Sequence, residues 1–300
     1  MSRLSQEQVA AIAALEELGD GVHVSIASRP EPVFEIGLSS CKQVTDDALS
    51  LLEPLEPLIS LRLAATNITD EGVAQIARHK DLQTLTLSNT SISDQSMPYV
   101  AHLEKLTMLE LEETAITGAG LRCLSGLAEL EELFLSETGI DDEALQSLSA
   151  LSNLETLHLA GTRITDEGLR YLDCLDMLQW LDLGGTSVTG EGLVHVESLG
   201  AIDLTATRPT PAGMKCLEQL TQLDTLQFCH APVIDDYLVH LQSLSQLSWL
   251  ALESTEVTGE GLNHLVPMKR LRTLRVNESK VTPDDVDRFK QKRPDCNVFS

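Results

Sequence analysis

The chain has 300 residues, 42% hydrophobic and only 3% aromatic, with 46 acids against 21 Lys and Arg and a net charge of −25. That balance argues against a nucleic-acid partner, which needs a basic face. No apolar run approaches the roughly 20 residues of a membrane span. Met1 to Asp20 alternates polar and apolar residues instead of forming the apolar core of a secretion signal.

Ser5-Gln6-Glu7-Gln8, followed by Val9, Ile12, Leu15 and Leu18, predicts a capped amphipathic helix. Val22, Val24 and Ile26 then alternate as an edge strand does. Residues 1–32 are therefore expected to form an N-terminal cap. From Val33 the sequence repeats, in eleven units. The first ends at Pro57. Units of 24 residues begin at Leu58, Leu82, Leu106, Leu130, Leu154, Leu199, Leu223 and Leu247; the one from Leu178 to Ser198 has 21, and the last begins at Leu271. A fixed period of this length is the mark of a stacked solenoid.

Within a unit the Leu-x-Leu pairs (Leu85/Leu87, Leu109/Leu111, Leu133/Leu135, Leu181/Leu183) predict a short strand with alternating faces. The period then changes to three, as in Leu145, Leu148, Leu151 and Leu169, Leu172, Leu175, which predicts a helix of two to three turns. Thr69 before Asp70-Glu71 and Thr165 before Asp166-Glu167 supply helix caps and acids that suit the dipole. In Thr210-Pro211 and Thr282-Pro283, proline takes the one helical position that tolerates it. Gly72 and Gly168 are expected to permit close approach to the neighbouring unit. At the far end Val286 and Phe289 continue a helix face, Pro294 ends it, and Asn297-Val298-Phe299 predicts a closing strand. Parallel strands with right-handed helical crossovers give a curved α/β coil, strands inside and helices outside. The expected organisation is one solenoid domain: 1–32 as N-terminal cap, 33–294 as eleven repeats, 295–300 as C-terminal cap.

The recurring L-x-x-L-x-L-x-x-T-x-I-T-D-x-G-L pattern resembles the leucine-rich repeat family over about residues 33–294. The Thr-x-Ile-Thr-Asp-x-Gly-Leu variant is similar to bacterial repeats, and the first unit (Leu38 to Asp46, with Cys41) to the cysteine-containing type. The resemblance implies a ribonuclease-inhibitor-like, right-handed horseshoe and a role in protein binding. Thr66, Thr90, Thr114, Thr138, Thr162, Thr186, Thr207 and Thr255 stand where many members have Asn or Cys. Their hydroxyls are expected to bond backbone groups at the turns. The six cysteines (Cys41, Cys123, Cys174, Cys216, Cys229, Cys296) occupy unrelated repeat positions, which predicts reduced thiols and a cytoplasmic protein.

Residues between the strand leucines point into the hollow. That row runs Gly37, Arg62, Thr86, Glu110, Phe134, His158, Asp182, Asp203, Gln227, Ala251, Arg275. Two positions earlier lie Met108, Glu132, Trp180 and Trp249; two later lies Glu112, and the next row holds Glu113, Glu137 and His230. The candidate binding face is Met108, Glu110, Glu112, Glu132, Phe134, His158, Trp180, Asp182, Asp203, Gln227 and Trp249. Exposed aromatics in such a hollow act as anchors, and surrounding acids steer a basic partner. Isolated exposed aromatics are also ordinary on protein surfaces. The last 32 residues carry nine basic residues, among them Lys269, Arg270, Lys290 and Arg293. They read as a solvated cap, or as one end of a head-to-tail contact.

Catalytic signatures are missing from the sequence. No glycine-rich phosphate loop follows a strand, and no Cys-x-x-Cys or His-x-x-x-His pair occurs. His195, Cys216, His240 and His264 recur in consecutive units, but neighbouring helices lie ~8–10 Å apart, too far to share an ion easily. Glu132 and His158 could exchange protons, yet no nucleophile or oxyanion device accompanies them. The sequence therefore predicts a non-catalytic scaffold without cofactor or metal, binding a protein with a basic patch, monomeric or weakly self-associating. The alternatives are a self-assembling structural solenoid and a carbohydrate or small-ligand binder at Trp180 and His158.

Overall fold

Leucines two apart on a strand and three apart on a helix can all face one side only if the chain winds so that strand and helix share an interior. The computed structural model describes residues 4–19, 21–28 and 32–300. The parts of the expected N-terminal cap at 1–3, 20 and 29–31 lie outside the described residues. Two compact units divide the chain: Met1–Ile140 with Ser147–Leu154, and Asp141–Gln146 with Glu155–Ser300.

In the first unit the helix Gln6–Glu16 opens on a capping box. Gln8 N–H donates to Ser5 Oγ at 3.1 Å and Ser5 N–H to Gln8 Oε1 at 3.0 Å. Ala11 and Leu15, one turn apart, are its buried residues. Val9, expected on that face, is 54% exposed, because two contact positions suffice to seat so short a helix. Strand β1 (His23–Ser28) pairs antiparallel with β2 (Pro32–Gly37). Parallel strands come next in chain order: β3 (Leu58–Arg62), β4 (Thr84–Thr86), β5 (Met108–Glu110) and β6 (Glu132–Phe134). In the second unit β7 (Thr156–His158), β8 (Trp180–Asp182), β9 (Ala201–Asp203), β10 (Thr225–Gln227), β11 (Trp249–Ala251), β12 (Thr273–Arg275) and β13 (Asn297–Phe299) are parallel neighbours in the same order. The 21-residue repeat keeps its strand register, Leu181 opposite Ile202. From the start of its helical segment, Glu191–His195, the chain reaches the next strand at Ala201.

The helical segments are largely tighter than α-helix. Asp166–Leu169 is one α-turn that tightens into a 3₁₀ turn at Arg170–Leu172, and Asp235–Ser243 is 3₁₀ throughout. Three residues per turn is the 3₁₀ repeat, so leucines spaced by three point inward along one line only if the helix tightens. The strand and helix leucines between Leu52 and Leu274 are buried almost without exception, which makes a continuous apolar interior within each unit.

Three residues past the end of each strand from β2 to β12 lies a residue held in the left-handed region, among them Ala65 (φ 58°), Glu113 (54°), Glu137 (57°), Gly161 (66°) and His230 (57°). This conformation turns the amide toward the next repeat: Ala65 N–H donates to Ser88 O, Glu113 N–H to Ser136 O and Gly161 N–H to Gly184 O, at 2.7–3.0 Å. In eight of these turns the next residue is a threonine, which closes the turn on itself. Thr66 Oγ1 donates to Leu63 O at 2.6 Å and Thr162 to Leu159 O at 2.5 Å, and all eight turn threonines repeat the bond to the carbonyl three residues back.

In six repeats the aspartate that follows the cap residue does more than face the dipole. Asp46 accepts from the backbone N–H (2.9 Å) and hydroxyl (2.5 Å) of Thr69, the helix cap of the following repeat. Asp70 does the same for Ser93, Asp94 for Thr117, Asp142 for Thr165 and Asp235 for Thr258. Asp166 takes four donors: Thr189 N and Oγ1, Gly190 N and Gly192 N, all at 2.8–3.0 Å. The helix glycines now have a cause, since a Cβ at Gly72 or Gly168 would strike the carboxylate of Asp46 or Asp142. Where Pro211 replaces the acid, the next repeat has Ile234 and Tyr237 in place of the threonine and glycine. In the last repeat the roles reverse: Asp285 stands in the glycine column, binds Thr282 of its own turn, and Gly259 clears room for it.

The closing helix Pro283–Lys292 buries Val286 and Phe289. The basic C-terminal segment is less solvated than expected. Arg293 is 1% exposed and donates to Met268 O (2.5 Å) and Leu271 O (2.8 Å), carbonyls of the chain between the last two helices. Hydrogen bonds from Arg293 hold its partner Asp295 down at about 2.

Candidate functional site

Strand alternation sends the side chains between the leucines to the face opposite the interior, and all eleven candidate residues are half-buried there. They fall into two groups, one in each unit. In the first, register sets Met108 opposite Glu132 and Glu110 opposite Phe134. Glu112 comes after Glu110 on the same face, and its N–H donates to Ser88 Oγ at 3.1 Å. Burial pushes the Glu110 carboxyl above the usual range. Glu112 and Glu132 push it further, while Arg62 pulls the other way. A half-buried carboxylate among others is a site of stored repulsion that an incoming cation relieves.

In the second unit His158 lies opposite Asp182, Asp182 opposite Asp203, and Asp203 opposite Gln227. The His158 and Trp180 rings stack with centroids 6.3 Å apart and planes 19° apart. Asp182 Oδ2 lies 3.6 Å from His158 Nδ1. Trp249 shares the column of Trp180, but Ala201 and Thr225 separate them by three strand spacings, roughly 14 Å.

Some expected members of the face are not on it. Thr86 (3% exposed) and Ala251 (0%) are covered. Both are short, and each lies between two long neighbours: Arg62 and Glu110 for the first, Gln227 and Arg275 for the second. Glu113, Glu137 and His230 occupy the left-handed turn after the strand and are exposed at its rim. A cluster not anticipated joins Glu253 to Arg275 (2.9 Å) and to the Cys229 thiol (3.5 Å), which burial pushes up. On the helix side, His240 Nδ1 lies 2.6 Å from Glu218 Oε1. That contact accounts for one member of the His/Cys row as an inter-repeat contact. Among the described residues no helix is long and apolar enough to cross a membrane.

The sequence profile of a leucine-rich repeat region matches residues 35–293. The chain belongs to the leucine-rich repeat family. Among solved structures, this repeat protein resembles an internalin (InlF) of Listeria monocytogenes, at 18% identity and a TM-score of 0.68, over 97% of this chain and 87% of the internalin. It also resembles internalin C2 of the same organism (22% identity, TM-score 0.53, 67% and 81% covered). A leucine-rich repeat protein of Leptospira interrogans is similar too (17%, 0.54, 84% and 80%). At these identities the likeness establishes the leucine-rich-repeat solenoid fold. No curated protein matches the sequence. Leucine-rich repeats in general mediate protein–protein contact and are not catalytic, and an open strand face is the surface such contacts need.

Proposed function

We propose that this leucine-rich repeat protein is a non-catalytic scaffold whose strand face binds a protein with a basic surface. The observation that carries the reading is Glu110. It is half-buried among like charges with its carboxyl pushed up, opposite the half-exposed ring of Phe134. An acid kept in this setting is poorly satisfied until a cation approaches, and an apolar anchor beside it supplies affinity. Met108, Glu112 and Glu132 extend this patch. His158, Trp180, Asp182, Asp203, Gln227 and Trp249 form the second. Six free cysteines support a reducing, cytoplasmic setting.

The head-to-tail alternative is weakened by internal pairing of the basic end. Arg272 binds Asp295, Arg275 binds Glu253, Lys280 binds Glu256, Arg288 binds Asp285, and Arg293 is buried. Affinity capture from the native lysate, wild type against a Glu110→Gln/Phe134→Ala/Trp180→Ala variant, tests the scaffold reading. A partner retained by the wild type should be lost, with the far-UV circular dichroism unchanged. Equal capture by both would remove the strand face from consideration.

A further inference from the structure

We infer that the second unit carries a receptor for a single arginine side chain of the partner, built from Trp180, Asp182 and Asp203 and braced by His158. The inference rests on the protein-binding reading above and names the group that the strand face grips.

Adjacent parallel strands place Asp182 directly opposite Asp203. Like charges at directly paired positions repel, and sheets ordinarily avoid them. Both carboxylates are fixed in place by their own turns. Asp182 Oδ1 accepts from Gly184 N–H at 2.9 Å, and Asp203 Oδ1 accepts from Thr205 N–H at 2.7 Å. Each therefore directs its second oxygen from a locked position, that of Asp182 lying on the His158 side. The strand-face residues of β7 to β10 are Thr156, His158, Trp180, Asp182, Ala201, Asp203, Thr225 and Gln227, with no lysine or arginine among them. Two carboxylates beside one imidazole make a locus of net negative charge, which suits a cation brought by the partner.

The aromatic side of the site favours a planar cation. His158 stacks against one face of the Trp180 indole. On the other side the next strand offers only Ala201, and the one after it Thr225, before Trp249 closes the column. The result is a slot with tryptophan at both ends, a floor of small side chains, and Asp182 and Asp203 along one edge. A guanidinium is flat, weakly hydrated and forked. It can lie on the indole while donating to two carboxylates one strand apart. An ammonium is a compact, strongly hydrated point charge and meets only part of this arrangement. Among the described residues the buried Trp180 Nε1–H finds no acceptor, so a carbonyl of the incoming segment has an unclaimed donor to meet as the indole adjusts.

The test uses the full chain with Trp249→Phe, so that one tryptophan remains and gives one indole N–H resonance. It is titrated with three synthetic peptides of a neutral Gly/Ser frame, carrying arginine, lysine or citrulline at the same central position. The arginine peptide is expected to move the Trp180 resonance in a saturable way. Lysine should bind at least tenfold more weakly and citrulline not at all. Asp182→Asn and Asp203→Asn keep the oxygen that accepts from Gly184 or Thr205, so folding is preserved. Each should weaken the arginine peptide about tenfold. Equal response to arginine and citrulline, or none to arginine, overturns the inference. A Glu110→Gln/Glu112→Gln/Glu132→Gln variant separates the two levels. If a tri-arginine peptide binds the parent but not this variant, and binds Asp182→Asn/Asp203→Asn normally, the acidic strand face stands and the arginine receptor falls. If tri-arginine binds nowhere, both fall.

Discussion

Asp166→Ala tests whether the inter-repeat carboxylates hold neighbouring repeats together. The wild-type side chain accepts from three backbone N–H groups and one hydroxyl of the next repeat. Gly190 and Gly192, two of the donors, are buried. Removing the carboxylate leaves these groups without an acceptor. At about 1 kcal/mol each, allowing for water at the half-exposed Thr189, the loss is roughly 3–4 kcal/mol. Asp235→Ala removes only two bonds, both to Thr258, and should cost about 2 kcal/mol. Glu167→Ala, which loses one exposed contact to Arg170, should cost under about 0.5 kcal/mol. Urea titration monitored by circular dichroism and tryptophan fluorescence gives all three values. Because repeats couple only to their neighbours, Asp166→Ala should also broaden the transition. A cost for Asp166→Ala within ~1 kcal/mol of the Glu167→Ala control would refute the argument. So would a cost below that of Asp235→Ala.

Glu110→Gln should stabilise the chain at neutral pH. Burial raises the folded-state value above the unfolded one, so the ionised carboxylate costs stability above the folded value. The gain should shrink as pH falls and vanish below the unfolded glutamate value of about 4.3, as thermal melts across pH 3.5–7.5 would show. Glu137→Gly, at φ 57°, should gain roughly 0.5–1 kcal/mol by relieving a left-handed non-glycine residue. Gly161→Ala at the matching turn should lose about 1 kcal/mol, both read as shifts in urea midpoint. Pro211→Asp alone should destabilise, because Tyr237 fills the column that elsewhere clears room for the carboxylate. Adding Ile234→Thr and Tyr237→Gly should recover the loss, a non-additivity that a mutant cycle measures.

The winding of the chain was legible because its causes are local and repeated. Leu85/Leu87 and its counterparts fix the strands, and the Ser5/Gln8 box marks the first helix from four consecutive letters. The turn threonines bond as expected because the acceptor is three residues back in the same turn. The partnership of Asp46 with Thr69 was not legible. Its two ends lie 23 residues apart, and the reading of acids as dipole partners accounts for them equally well. Its trace was present all the same: Pro211, Ile234 and Tyr237 depart from the pattern together. The leucine spacing of three was read as one apolar face of a helix, and the 3₁₀ winding that this spacing favours was not drawn from it. On the candidate face, the half-exposure of Glu110, Phe134 and Trp180 is a consequence of alternation. The covering of Thr86 and Ala251 depends on the length of side chains on two other strands, which no single repeat specifies.

Six repeats present a plug on one side, the aspartate, and the repeat after each supplies the socket, the cap residue whose N–H and hydroxyl receive it. Repeats are consequently not freely interchangeable bricks. A repeat that carries Pro211 in place of the acid leaves the next socket without its plug, and here Ile234 and Tyr237 fill that space. Any attempt to lengthen, shorten or shuffle the array has to match plug to socket at every new seam. A cassette cut from Asp142 through Thr165 carries a matched pair, whereas a cut between Asp166 and Thr189 strands four donors at once.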